Sequence, residues 1–531
     1  MEKVAKKKKR NSFAVGAMVL AGAGFVSKFL GAIYRIPLTN ILGAEGIGMY
    51  QLIFPIYALM LTLSSGGVPS AIARLVAERS GVNDEEGAKK VFFSSAVLLT
   101  LFGCIAVLSL VLLARPLAAL QGNEALRYGY YAIAPAILIV AGSAYFKGWF
   151  QGNLDMMPSA YTQLIEQGVK MGAGLFLSAY LMRYGIIYAV VGAILGITVS
   201  ELISFIVMFV IYIRKGNSLK IPFDIGLKEN MTDILKVALP ITLSGLVFPL
   251  VQFIDSVLIV NALTFFGVEK SRSTALYGLL TGPVNSLVNM PVVLTLALSV
   301  AIVPVVSVNR IKRDADAVKE KCNTALKLSY MLGVPSFLGI FVLAELIMKI
   351  LYPTLSLEDI TIATTLLRVS SVSILFLSEV QIYTSLLQAL DKTKIGIISL
   401  SVAALLKVIL VVALVGYLGI LGAAVASVAS YLMIATFDKI YMRKYLGKDD
   451  PLVKDVSKIL VSGLTMTFFV YISARFIPNI YVSLIVSILI GVAIYLVCMV
   501  LFKVMNDKEL ESVPFGKLLR YVGKKIRFWE K

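Results

Sequence analysis

The sequence predicts an all-α polytopic membrane protein of about fourteen transmembrane helices, arranged as two six-helix lobes with two further helices after them. Three observations predict it. Apolar runs of membrane-spanning length recur from about residue 12 to about residue 503, the loops between them are alternately rich and poor in lysine and arginine, and part of the chain repeats itself in register. Composition agrees: of 531 residues 58% are hydrophobic and 15% charged, with mean hydropathy +0.87, where a soluble chain carries about a quarter charged residues.

A lipid-crossing helix needs about 20 apolar residues, more when tilted. By that rule the first six spans lie near 12–40, 48–77, 88–114, 124–150, 158–182 and 186–213. The next six lie near 231–262, 274–307, 322–350, 360–390, 394–416 and 418–442, and the last two near 455–477 and 479–503. Lys6-Lys7-Lys8-Lys9-Arg10 directly precedes the first span and reads as a cytoplasmic anchor. It looks like the start of a signal peptide, but the apolar stretch behind it is too long and has no AxA-like cleavage site, so the span is read as uncleaved.

One set of connections carries Arg79, Lys89 and Lys90, then Arg214, Lys215, Lys220 and Lys228, then Arg310, Lys312, Arg313, Lys319 and Lys321. Lys392 and Lys394 follow, then Lys439, Arg443, Lys444, Lys448, Lys454 and Lys458, and a basic tail from Lys503 to Arg527. The opposite set holds little beyond Arg115, Arg183, Lys270, Arg272 and Arg475. The alternation implies an even number of spans with both termini cytoplasmic, in a bacterial plasma membrane. The net charge of +19 sits in these loops, which points to anionic membrane lipids as partners and not to nucleic acid. Cys104, Cys322 and Cys498 lie far apart in or beside apolar blocks and make no CxxC pair. Histidine is absent, which removes the commonest general base and metal ligand and argues against an enzyme.

The repeat is local but joint. Gln151 is followed by Lys170 at the same distance at which Gln388 is followed by Lys407, and Gly192-Ala193 with Ser200 is echoed by Gly422-Ala423 with Ser430. Equivalent helices are six apart, so both halves keep one orientation. This implies a parallel repeat about an axis along the membrane normal, with the substrate site between two lobes. The expected organisation is a basic N-terminus (1–11), an N-lobe (12–213), a cytoplasmic linker (214–230), a C-lobe (231–444), helices thirteen and fourteen (445–503) and a basic tail (504–531). Prolines inside spans, among them Pro55, Pro69, Pro240, Pro249, Pro283, Pro291 and Pro304, suit either helix bending during transport or ordinary membrane-helix packing.

Ionisable groups inside spans cost about 3 kcal/mol each and by default mark a functional site. Lys28 and Arg35, seven residues apart, share one face of the first helix with Gly24, Ser27 and Gly31. Two cations beside small residues make a groove for a diphosphate, to which an arginine fork donates two hydrogen bonds. The alternative for Arg35 is snorkelling to the outer interface. In the fifth helix Gln163, Glu166, Gln167 and Lys170 form a polar stripe, unless Glu166 and Lys170 simply neutralise each other at i,i+4. Gln252 and Asp255 share a face of the seventh, and Asp255 has no basic neighbour in its own helix. Asn285 and Asn289 share a face of the eighth. Arg368 and Glu379 nearly align around the tenth, and Lys407 stands alone in the eleventh. Glu201 and Glu345 are set aside as too near span ends. Substrate contacts are therefore expected from Ser27, Lys28, Arg35, Gln163, Lys170, Gln252, Asn285, Asn289 and Arg368, and ion coupling or charge pairing from Asp255, Glu166 and Glu379.

Ser27-Lys28-Phe29-Leu30-Gly31 through Tyr34-Arg35-Ile36-Pro37-Leu38, then Leu42-Gly43-Ala44-Glu45-Gly46-Ile47-Gly48-Met49-Tyr50-Gln51, resemble the polysaccharide-transport branch of the multidrug/oligosaccharidyl-lipid/polysaccharide (MOP) exporter superfamily. Within it the resemblance is to the Gram-positive stage V sporulation protein B and MurJ-like lipid II flippases. Gly67-Val68-Pro69 with Ala71 to Glu78, and Leu387-Gln388-Ala389-Leu390-Asp391-Lys392, fit more generic motifs of the superfamily. The resemblance implies two six-helix lobes in a V and transport of an undecaprenyl-pyrophosphate-linked saccharide from the inner to the outer leaflet. It implies no cofactor, coupling by sodium ions, protons or membrane potential, and cell-wall synthesis enzymes as neighbours. Lys28 and Arg35 match the cavity-lining cations of the family, with lysine where arginine is common. Asp255 matches the depth of a coupling carboxylate in the seventh helix. The competing expectations are a cation-coupled drug antiporter of the same fold, a membrane glycan polymerase, and a non-transporting scaffold.

Overall fold

The computed structural model describes residues 2–216, 226–446 and 452–504, without the side chains of 2–15, 17, 445–446 and 452. Lys220, Lys448, the side chains of the basic N-terminus and the tail beyond residue 504 lie outside the described residues. The chain is helical nearly throughout. The first helix, α1 (Glu2–Ser65), joins two expected spans, and α2 (Val68–Gly81) follows. Next come α3 (Glu85–Leu120), α4 (Leu126–Gly152), α5 (Met157–Leu181) and α6 (Ile186–Arg214). After the linker lie α7 (Leu227–Phe265), α8 (Lys270–Leu279), a π turn (Leu280–Val284) holding Pro283, and α9 (Asn285–Ile311). The remainder is α10 (Ala315–Leu351), α11 (Leu357–Ser371), α12 (Ser373–Ala389), α13 (Thr393–Leu418), α14 (Ile420–Leu446), α15 (Leu452–Phe476) and α16 (Ile480–Leu501).

Among the described residues eleven helices, or twelve when the bent pair α11–α12 counts as one, are long and apolar enough to cross a membrane. The fourteen expected spans map onto them with two differences. The first of these helices takes in the first two spans, and α5, whose polar stripe lowers its hydropathy, is not among them. The chain is a multi-pass membrane protein.

Local chemistry explains the joints. Gly43 interrupts α1 with φ +66° and ψ −173°, a backbone that L side chains resist and glycine adopts freely. Tight connections are capped by side chains: Asp84 accepts from the Gly87 amide at 2.8 Å, Asp314 from Ala317 at 2.9 Å, and Asn479 from both Tyr481 and Val482. Each satisfies amides that the first turn of a helix leaves open.

The residues up to Gly282 form one compact unit and those from Pro283 another. In the first, α1 packs against α4, α5, α7 and α8. Its crossing with α8 is backbone-close: a Cβ at Gly48 would lie 2.1 Å from the Thr274 carbonyl oxygen, and one at Gly278 2.5 Å from that of Ala44. Small residues make such crossings possible in membranes, where packing rather than hydrophobic burial holds helices together. A separate aromatic core joins α3, α4 and α6, with Phe92 stacked on Tyr212 at 5.0 Å and edge-on to Trp149 at 5.3 Å.

In the second unit α9, α10, α12 and α14 share a core of Val306, Leu326, Ile382, Leu386 and Met442. The hairpin α15–α16 packs on α10 through Val334, Leu343, Ile459 and Met466. Two polar links fasten it. The Tyr495 hydroxyl donates to the Met331 carbonyl at 3.0 Å, and Lys327, 6% exposed, pairs with Asp455 at 2.9 Å.

Candidate functional site

Charges collect inside the first unit. Their placement begins with α1 running along α5. Ser27 is buried and its hydroxyl reaches the Gln163 carbonyl at 3.5 Å. A Cβ at Gly24 would meet the Gln163 side-chain amide at 3.8 Å, and one at Gly31 the Gln167 amide oxygen at 3.7 Å. The small residues of the first helix thus bring its backbone alongside the amide side chains of the fifth. Lys28, next to Ser27, is exposed. Arg35, two turns on, is half-buried and acts electrostatically on Lys170 and Tyr50.

The crossing of α5 with α6 is closer still. A Cβ at Gly196 would come within 2.3 Å of the Gly174 Cα, and one at Gly192 within 2.6 Å of the Leu177 carbonyl oxygen. This contact carries Glu201 of α6, 8% exposed, into the fields of Glu166 and Lys170 on α5 and Lys147 on α4. The buried Tyr57 of α1 feels both Glu201 and Glu166. Arg35, Lys147 and Lys170 therefore face Glu166 and Glu201, and the cations are in excess by one. At low local dielectric such an array holds amides and cations ready for an oxyanion.

Two of these residues were not singled out from the sequence. Glu201, set aside as too near a span end, stands in the middle of α6. A signal was present: like Asp255, it has no basic neighbour in its own helix. Lys147 lies within a turn of Gln151 near the end of α4 and was not considered in the sequence.

Elsewhere in the unit, Asp255 is half-buried on α7 and acts on the buried Tyr277 of α8. Gln252 is half-buried on the same helix. Beside Asp255, Ser256 accepts from Gln121 at 2.8 Å. The fully buried Gln121 also donates to the Leu52 carbonyl at 2.9 Å and accepts from the Tyr130 hydroxyl. That network ties α1, α3, α4 and α7 through one side chain.

The second unit holds the other expected residues. Asn285 is half-buried and Asn289 exposed on α9. Arg368 and Glu379 do not share one straight helix, because the chain bends by 42° between α11 and α12. Arg368 instead lies 3.9 Å from Glu345 of α10, whose other oxygen takes Lys349 at 2.7 Å. Glu379 is buried on α12, and Lys407 is half-buried on α13.

The chain has known relatives. Stage V sporulation protein B of Bacillus subtilis is 28% identical over 354 residues, 65% of this chain and 67% of that protein. Lipid II flippase MurJ of Bacillus subtilis is 25% identical over 514 residues, 91% of this chain and 94% of that protein. The solved inward closed conformation of a lipid II flippase MurJ superposes with a TM-score of 0.72 at 20% identity, over 91% of this chain and 98% of that one. A family model described as MatE matches residues 280–413. The model described as polysaccharide biosynthesis protein matches residues 13–310, more than half of the sequence, and the chain belongs to that family.

Proposed function

We propose that the chain is a flippase that carries an undecaprenyl-pyrophosphate-linked saccharide, lipid II or a related cell-wall precursor, from the inner to the outer leaflet by alternating access. The observation that carries this reading is the cationic excess around Arg35 and Lys170 beside the amides of Gln163 and Gln167. A pyrophosphate needs several donors at once, and these groups offer charge and hydrogen bonds together. Lys28 and Arg35 hold the pyrophosphate, Gln163 and Lys170 assist, and Glu166 and Glu201 keep the empty site near neutral. Gln252, Asn285, Asn289 and Arg368 contact the saccharide or its lipid, while Asp255 and Glu379 pair with cations during the cycle. The names of the relatives, a lipid II flippase and a sporulation protein, support the substrate class. In this reading both termini are cytoplasmic, the membrane is the bacterial plasma membrane, and no covalent step is catalysed. Coupling is to protons, sodium ions or membrane potential.

The test is leaflet exposure of lipid II in cells whose resident flippase can be shut off. Wild type is expected to restore outward exposure, and Arg35→Ala to leave it at the uncomplemented background. Restoration by both would sink the site assignment. Failure of both at normal membrane levels would sink the lipid II substrate.

A second reading, a drug antiporter, draws support from the MatE match and from the carboxylates of the half-buried Glu166 and the buried Glu201, which suit cationic substrates. It requires drug resistance that disappears on Glu201→Gln and no wall phenotype.

A further inference from the structure

The second unit holds a carboxyl group that the flippase reading leaves idle. Asp438 lies on α14, 0% exposed, and among the described residues neither of its oxygens has a hydrogen-bond partner. Its own helix surrounds it with the buried Ile434, Ala435 and Met442, and Met442 joins the core that Leu326 of α10 and Ile382 and Leu386 of α12 make. Ser399 of α13, equally buried, lies beside the carboxyl, but its hydroxyl donates to the Gly396 carbonyl at 3.0 Å. Titratable side chains of the packed elements include Lys394 and Lys407 on α13, Glu379 and Tyr383 on α12, Arg368 on α11, Cys322 and Lys327 on α10, and Tyr431, Lys439 and Tyr441 on α14 itself. None of them hydrogen-bonds Asp438, and Lys327 and Arg368 already face Asp455 and Glu345.

An ionised carboxylate cannot rest in such a place, because burying a charge without a partner costs far more than taking up a proton. A hard cation does not solve the problem, since it takes roughly six oxygens and no group of three acidic or cysteine side chains gathers there among the described residues. The neutral acid does solve it. Its O–H can donate to the Ser399 oxygen, whose own hydrogen goes on to the Gly396 carbonyl.

We propose that Asp438 is a proton-binding site of the second unit, neutral while α13 and α14 stay packed and releasing its proton to water when α14 becomes wetted during a transport cycle. Its role in transport rests on the flippase reading; its protonation does not. The chemistry is a single exchange, in which the carboxylic acid loses one proton to solvent and the carboxylate regains one before the helices close. This assigns coupling to a residue other than Asp255, and to the proton among the candidate ions.

Infrared spectroscopy of the full chain in lipid nanodiscs at neutral pH tests the protonation without any transport assay. Wild type should show the carbonyl band of a protonated carboxyl. Asp438→Asn should remove one carboxyl's amplitude, and Ser399→Ala should shift the band without shrinking it. An undiminished band in a folded Asp438→Asn overturns the proposal. Should that variant not fold, an unmoved band in Ser399→Ala does the same. A second arm uses proteoliposomes with a lipid-linked saccharide and an imposed pH gradient. One pH unit biases a one-proton step by up to ~tenfold, so wild-type flipping should respond to the gradient and Asp438→Asn should not. If nothing is flipped in either direction, the flippase reading fails while the infrared result stands. If both flip with the same gradient response, the coupling role fails.

Discussion

Helices α5 and α13 occupy the same place in the two halves of the repeat, with Lys170 and Lys407 in register, yet they differ in almost everything else that matters chemically. Where α5 has Gln163, Glu166 and Gln167, α13 has Leu400, Ala403 and Ala404. The following helices differ in the same sense. Glu201 of α6 corresponds to Tyr431 of α14, and the buried Met208 corresponds to the buried Asp438. The first unit gathers charges that answer one another. The second holds, among its described residues, a buried acid with no hydrogen-bond partner. On the two proposals made above, a duplicated scaffold has divided its ionisable groups between two tasks: holding an anion and exchanging a proton.

The comparison can be broken at its scaffold first. Gly192 and Gly422 are equivalent crossings, where a Cβ would lie 2.6 Å from the Leu177 or the Leu414 carbonyl oxygen. Gly192→Leu and Gly422→Leu should each overpack side chain against backbone and cost about 3 kcal/mol or more, read as loss of monodisperse protein in detergent. A tolerated substitution on one side only would show that the halves are not built alike. Next comes the charge array. Glu201→Gln leaves Lys147 and Lys170 undercompensated, and should lower stability by about 1–3 kcal/mol and weaken flipping. Tyr431→Phe at the equivalent position should change stability by less than about 1 kcal/mol. Thermal unfolding of the two variants side by side measures the contrast, and equal losses would erase it.

Within the second unit, Lys327→Met should cost about 1–2 kcal/mol, because it strips Asp455 of a buried partner while Asp455 itself keeps some water. The smallest effect belongs to Arg368→Gln. Its contact with Glu345 is long and exposed on both sides, so under about 1 kcal/mol is expected. A large drop in unfolding temperature there would assign Arg368 a structural duty that its geometry does not suggest.

Much of this was legible in the sequence because the membrane imposes long apolar runs and leaves few topological choices. The fourteen spans follow from that rule alone. The exceptions have physical causes. Gly43 lets two spans read as one helix. The stripe on α5 that marks the site also makes α5 a poor span by hydropathy. The bend after Ser371 removes an alignment that a straight helix would give Arg368 and Glu379. Ser27 with Gln163 was within reach, because small residues and amides on facing helices advertise close approach. Glu201 left a signal that was passed over, and Asp438 left none, because only the neighbouring helices decide whether water reaches a carboxylate on a helix.

The pair Lys327–Asp455 has a consequence for biosynthesis. Its partners are made far apart in time: at ~5–20 residues per second, the ribosome reaches Asp455 on the order of ten seconds after Lys327. Through that interval the growing chain carries an ammonium group on α10 with its counter-charge not yet translated. The last hairpin is therefore a late-arriving neutraliser, and a chain stopped before α15 would present that lysine without Asp455 to whatever quality control surveys the nascent protein.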